Sequence, residues 1–259
     1  MIDVSGLLPE ARPIAEKAAA VYLKHTAPRF VGLIVHGSAV KGGVIPGCSD
    51  LDFQLYLEAS AFSWHDQLPL ELACAIRRDL AGIDLGPFRY IQCYARTSRP
   101  EEGWVGPIPG AYHLIAGRLP VPEATGEQLR ESARLALDRL NPATAFRLGP
   151  LLGPGGVRLA RNLRLLCTIV WPVLYQVLTL QQEDVLAIWR LPKDQALDWL
   201  PSGTALHQSA TRFYQAVCSY YPAEDSLEGA FALIETGVAF LEAAKSWWET
   251  TKIGKEEKQ

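Results

Sequence analysis

An α+β fold is predicted for this chain: a small mixed β-sheet unit backed by helices over residues 1–122, followed by an all-α helical bundle over residues 123–259. Three observations carry this expectation. Stretches with the two-residue period of a strand, such as LDFQLYL at 51–57, lie in the first half of the chain. From Glu127 onward apolar residues recur at helical spacing instead. Between the two regions lies Leu119-Pro120-Val121-Pro122, whose two prolines suit neither a helix interior nor a central strand, and which reads as a linker.

The elements follow in order. Residues 9–25 carry Glu10, Arg12, Glu16, Lys17 and Lys24 in a helical pattern, which is a surface helix and no targeting signal. A strand is expected over 30–36, then a glycine-punctuated turn, a second strand over 51–57, a helix over 65–80 and a strand over 88–95. Residues 98–110 form a Pro/Gly-rich loop of a length that is usually functional, and it is expected to cover the site. A short strand over 112–118 closes the first unit. Helices are then expected over 127–140, 157–180, 183–190, 194–200, 206–220 and 227–250. The most apolar window, 165–180, is shorter than a bilayer requires and contains Thr168, Pro172, Gln176 and Thr179. It reads as the central helix of the bundle, kinked or broken near Pro172, and no segment is expected to span a membrane. The charged residues 252–259 are expected to fray.

Composition points to an ordinary soluble enzyme. With 49% hydrophobic residues and seven tryptophans, disorder is excluded for most of the chain. A formal net charge of −3 predicts no broad basic footprint, so nucleic acid is not the expected partner. Cys48, Cys74, Cys93, Cys167 and Cys218 are odd in number, scattered, and without metal-ligand spacing, as expected of thiols in a cytoplasmic protein. Trp247 and Trp248 are expected to pack internally.

The chemistry-bearing stretch is residues 31–57. In Asp50-Leu51-Asp52-Phe53-Gln54-Leu55 polar and apolar residues alternate, so Asp50 and Asp52 share one face of a strand. Two like charges held together call for a cation, and Mg²⁺ suits them, since it takes one or two carboxylates and completes its shell with water and phosphate oxygens. Upstream, Leu33-Ile34-Val35 is a buried strand that ends at Gly37-Ser38. There the missing side chain lets backbone N–H groups approach an anion, Ser38 adds a hydroxyl, and Lys41 follows in the same turn. Gly42, Gly43, Pro46 and Gly47 let the chain double back. A solvated hairpin would show the same residues, but the apolar density on both sides argues for a core layer.

Gly37-Ser38, Lys41-Gly42 and Ser49-Asp50-Leu51-Asp52-Phe53 together resemble the signature of the DNA polymerase β-like nucleotidyltransferase superfamily. The resemblance implies that Gly37 and Ser38 bind the triphosphate of ATP or another nucleotide, that Lys41 lies near it, and that Asp50 and Asp52 hold two Mg²⁺ ions. A second stretch is narrower. Arg161-Asn162-Leu163, followed by Leu191-Pro192-Lys193-Asp194-Gln195-Ala196-Leu197-Asp198-Trp199-Leu200-Pro201, is similar to the helical domain of the streptomycin and spectinomycin adenylyltransferases. It implies that Lys193 reaches the nucleotide phosphates and that a hydroxyl of a small-molecule acceptor receives AMP.

Two departures qualify the resemblance. Where the superfamily carries a third acidic residue this chain reads Ile91-Gln92-Cys93, and neutral Gln92 can neither act as a base nor match a carboxylate toward Mg²⁺. Asp84, Glu101 and Glu102 are alternatives among which the sequence does not choose. Arg158, Arg161 and Arg164 stand where the aminoglycoside enzymes carry acidic residues. At i, i+3 and i+6 they share a helix face, which either points into water or attracts an anion. His36, before the Gly-Ser turn, is expected to pack near the nucleotide. The function expected is therefore Mg²⁺-dependent nucleotidyl transfer. The alternatives are a nucleotide-binding protein that has lost the chemistry, and an AMP-transferring modifier of proteins of the toxin-antitoxin type.

Overall fold

The computed structural model describes residues 1–63, 67–99, 103–145, 156–222 and 226–256, and the chain divides into two compact units, Met1–Ala124 and Thr125–Gln259. In the first, helix α1 (Arg12–Thr26) leads through a short 3-10 turn into β1 (Phe30–His36), a single helical turn α2 (Ser38–Lys41) and β2 (Leu51–Leu57). Helix α3 (Leu70–Leu80), β3 (Ile91–Arg96) and β4 (Tyr112–Gly117) follow. The four strands form one sheet in the order β3-β2-β1-β4. β1 runs antiparallel to both β2 and β4, whereas β3 lies parallel to β2 after a crossover through α3. This is the mixed sheet that the sequence predicts.

One face of the sheet is the core. Leu33 and Val35 of β1, Leu51, Phe53, Leu55 and Leu57 of β2, and Ile115 of β4 are all buried there. Helix α1 lies over them with Ile14, Ala15, Ala18, Ala19 and Tyr22, its alanines allowing close approach to the strands. The Tyr22 ring meets Phe53 edge-on at 5.4 Å. Each large apolar side chain removed from water contributes about 1.5–3 kcal/mol, so this face decides the strand register. The opposite face carries a smaller cluster, Ile34, Tyr56 and Val121, with Trp104, Tyr112 and Leu114 packed against it.

Local differences from the expected elements have physical causes. The strand expected over 88–95 begins only at Ile91, because Phe88 turns inward as a buried plug and the Arg89 N–H is taken by the Ser49 carbonyl. Residues 38–41, expected as loop, close one helical turn because the Gly37 carbonyl accepts from both Val40 and Lys41. Of the helix expected over 65–80, positions 65 and 66 lie outside the described residues and the helix starts at Leu70. Residues 252–256, expected to fray, continue the last helix.

The second unit is helical throughout its described residues: α4 (Gly126–Arg139), α5 (Pro142–Ala145), α6 (Gly156–Gln181), α7 (Val185–Arg190), α8 (Lys193–Leu197), α9 (Ala205–Tyr220) and α10 (Leu227–Glu256). Thr125 and Gln128 start α4 with a reciprocal capping box. α6 is longer than expected and runs through Pro172 without a break. By length and composition it could cross a bilayer, yet eleven of its residues are buried, packed against α4 and α10. Trp248 is buried and donates to Asp138 at 2.8 Å, tying α10 to α4. None of the five cysteines is in a disulfide, and burial pushes the Cys93 thiol up to about 12.

A Cβ added at Gly32 would come within 2.0 Å of the Arg118 carbonyl oxygen, a backbone atom that cannot rotate away. Gly32→Ala is expected to destabilise the protein by about 1–3 kcal/mol in urea unfolding, and an unchanged midpoint would contradict this packing.

Candidate active site

Strand β1 ends at His36, and the chain turns sharply at Gly37, with φ 76° and ψ −145°. That conformation favours glycine, and a second constraint acts at the same place: a Cβ on Gly37 would lie 3.0 Å from Oδ2 of Asp52. The Asp52 carboxylate therefore leaves little room for a side chain at Gly37. Ser38 is buried at the start of α2. The Gly37 N–H donates to Ala111 at 3.3 Å, anchoring the turn to the residue before β4.

The carboxylate strand is held by its apolar side. Leu51, Phe53 and Leu55 are at most 1% exposed, which turns Asp52 and Gln54 to the other face. Asp50 immediately precedes the strand and is half-buried, like Asp52. Its loop is pinned by Ser49, whose hydroxyl accepts from the Ile45 N–H at 2.9 Å. Asp52 has two register partners, His36 on β1 and Gln92 on β3. The Gln92 carbonyl oxygen accepts from the Tyr90 hydroxyl at 3.1 Å, so what Gln92 has left to offer is its amide N–H, a donor suited to an anionic oxygen.

Around this row lies a polar chain. The Tyr56 hydroxyl donates to Gln54 Oε1 at 2.7 Å, which turns the Gln54 amide nitrogen toward Nε2 of His36, 3.5 Å away. Neutral His36 then accepts at Nε2 and keeps its hydrogen on Nδ1. Burial, followed by the charges of Lys41 and Arg96, holds the His36 pKa down to about 4. Lys41, at the end of α2, is thus close enough to this face for its charge to be felt there.

Other candidates fall elsewhere. Asp84 accepts from the Gly86 N–H at 3.0 Å and is tied into the turn before β3, while Glu101 and Glu102 lie outside the described residues. Lys193 belongs to the helical unit. It opens α8 with its ammonium 5.7 Å from the Trp171 ring centroid, docked on an aromatic face. Arg158 and Arg161 are exposed on α6, and Arg164 is half-buried. Arg96 and Trp104 escaped the sequence reading, although the alternation Gln92, Tyr94, Arg96 along β3 carried the signal for the arginine. Trp104 comes from the loop expected to cover the site, and it packs on the Ile34 and Tyr56 side of the sheet.

Among the described residues no group of three or more His, Cys, Asp or Glu gathers into a metal cage. Two aspartates are nevertheless a donor set that fits Mg²⁺, which keeps water and substrate phosphates in its shell.

No protein-family model matches this chain, and no curated protein matches it. Among solved structures it is similar to the spectinomycin adenyltransferase AAD(9) from Enterococcus faecialis, determined with ATP and spectinomycin. The TM-score is 0.52 at 14% identity, over 90% of this chain and 98% of that one. The chain therefore has the fold of an aminoglycoside adenylyltransferase.

Two outcomes are expected from this geometry. Gly37→Ala, strained in φ and pressed against a carboxylate, should cost about 1–3 kcal/mol in chemical denaturation. For His36, the ordinary pKa of 6.5 applies in the unfolded chain and about 4 in the folded one. Above 6.5 both states are neutral, between the two values only the unfolded chain binds the proton, and below 4 the loss levels off. Stability should therefore fall as pH is lowered through this window, by at most about 3 kcal/mol, and His36→Phe should flatten that part of the profile.

Proposed function

We propose that this chain is a Mg²⁺-dependent nucleotidyltransferase that moves a nucleoside monophosphate, AMP from ATP, onto a hydroxyl of a small molecule and releases pyrophosphate. The observation that carries the proposal is that the Asp52 carboxylate stands against the bare Cα of Gly37, where an added Cβ would lie 3.0 Å from Oδ2. A phosphate-accepting bend and a metal-binding carboxylate are useful together only if one ligand meets both. The similarity to an adenyltransferase determined with ATP supports the choice of nucleotide.

The reaction is attack by the acceptor oxygen on the α-phosphorus. The bond from that phosphorus to the bridging oxygen breaks, pyrophosphate leaves with the electron pair, and the hydroxyl proton passes to solvent or to a phosphate oxygen. Asp50 and Asp52 would hold Mg²⁺, which when bound neutralises phosphate charge and makes the attacking hydroxyl more acidic. Gly37 lets the backbone approach the triphosphate, and Ser38 and Lys41 donate to it. Gln92 would donate its amide N–H to an anionic oxygen beside Asp52, and it cannot take the proton. Lys193 is assigned to the phosphates on sequence resemblance alone. The reduced cysteines suit a cytoplasmic enzyme, and the arginines at the start of α6 disfavour a polycationic acceptor.

The amide at Gln92 also favours a second reading, a nucleotide-binding protein of this fold without turnover. Calorimetry with MgATP, followed by incubation of α-labelled ATP with a cell extract, separates the two. A transferase yields a labelled small molecule, a binder gives heat alone, and a labelled protein band would identify a modifier of proteins. Asp52→Asn should weaken the Mg²⁺-dependent part of ATP binding and lower product formation more than about 100-fold. A variant that kept wild-type binding and turnover would overturn the proposal.

A further inference from the structure

Strand β3 is an edge strand whose alternation has a consequence beyond Gln92. Ile91 and Cys93 pack against the core, so Gln92, Tyr94 and Arg96 take the face that carries Asp52. Their register partners on β2 are Asp52, Gln54 and Tyr56 in turn. Arg96 follows Gln92 by four positions, about 13 Å along the strand, so its backbone lies toward the end of the face away from the Gly37 turn while its long side chain brings the charge back toward His36.

The guanidinium of Arg96 lies near two aromatic rings. It lies 5.8 Å from the centroid of Tyr94 and 5.6 Å from that of Trp104. Tyr94 is 51% exposed, unusual for a large aromatic without a task, and Trp104 reaches over from the loop after β3. Aromatic faces attract a guanidinium's charge but accept none of its hydrogens in an N–H···O bond. Among the described residues no acceptor takes the buried Nε hydrogen. A half-buried fork of donors near two rings, with Nε lacking an oxygen partner among the described residues, suits a carboxylate or phosphate. Its charge also reaches the Asp52 row, since Arg96 is among the groups that depress the pKa of His36.

We infer that Arg96, set beside Tyr94 and Trp104, binds an anionic group of the acceptor, a phosphate or carboxylate carried at the end remote from the hydroxyl that is nucleotidylated. The inference rests on the nucleotidyltransferase reading and deepens it. The triphosphate is assigned to the Gly37, Ser38 and Lys41 end of the face, so an anion at Arg96 comes from the second substrate. An acceptor of this kind is a small anionic hydroxy compound, opposite in charge to an aminoglycoside.

The test uses the full chain saturated with Mg²⁺ and a non-hydrolysable ATP analogue, so that the triphosphate subsite is filled. Inorganic phosphate and acetate are then titrated separately by calorimetry, with Arg96→Gln, Arg96→Lys and Trp104→Ala compared after their folding is checked by thermal melting. Saturable binding of either anion, at least tenfold weaker in Arg96→Gln and intermediate in Arg96→Lys, is expected. The tighter of the two anions identifies the group on the acceptor. Absence of saturable binding in the wild type, or equal binding by the folded variants, would overturn the inference. So would a matching loss of affinity for the ATP analogue in Arg96→Gln, which would assign the anion to the nucleotide. If the analogue itself does not bind the wild type, the nucleotidyltransferase reading fails, and titration of the nucleotide-free chain still decides whether Arg96 holds an anion.

Discussion

The first unit depends on one close approach: a carboxylate on β2 set against a residue on β1 that has no side chain. Asp52 Oδ2 occupies the space a Cβ on Gly37 would need, and the positive φ of Gly37 turns the chain away immediately beyond it. This arrangement exists only in one strand register, with His36 opposite Asp52. A slip of one residue would carry Asp52 into the apolar layer and Phe53 out of it. The burial of Leu33, Val35, Phe53 and Leu55 under α1 is therefore what keeps a costly carboxylate in place.

The sheet is divided by this register into two faces with opposite tasks. The face under α1 is apolar and supplies stability. The other is a polar surface with a small apolar patch, and its groups constrain one another. Tyr56 orients Gln54, Gln54 turns its amide toward His36, and burial keeps His36 neutral at physiological pH. Tyr90 likewise occupies the carbonyl of Gln92. The result is a row in which Asp52 stands between His36 and Gln92, beside Gln54. Among the described residues no cluster of three or more His, Cys, Asp or Glu forms around it.

A fold shared at 14% identity with an adenyltransferase does not by itself fix what the residues on the sheet face bind. Here those residues differ in character from what a polycation would require. Gln92 presents an amide there, and Arg96 lies 5.8 Å and 5.6 Å from the ring centroids of Tyr94 and Trp104, with no partner for its Nε hydrogen among the described residues. Both are hydrogen-bond donors of the kind that suits anionic oxygen.

What could be read from the sequence alone was whatever depends on neighbours along the chain. The Gly-Ser turn, Lys41, and the Asp50/Asp52 alternation are local patterns, since a strand repeats every two residues regardless of what it packs against. The α+β class, the mixed sheet and the helical second half followed from periodicity in the same way. Contacts between distant segments were decided by tertiary packing. That Gln92 lies beside Asp52 requires β3 to cross over and pair in parallel, and that Arg96 lies near a second ring requires Trp104 to fold back from the following loop. Pro172 ran through a helix expected to kink or break, and Phe88 left its expected strand to fill the core. In each case burial of apolar surface, a property of the whole fold, outweighed a local preference worth a few kcal/mol at most.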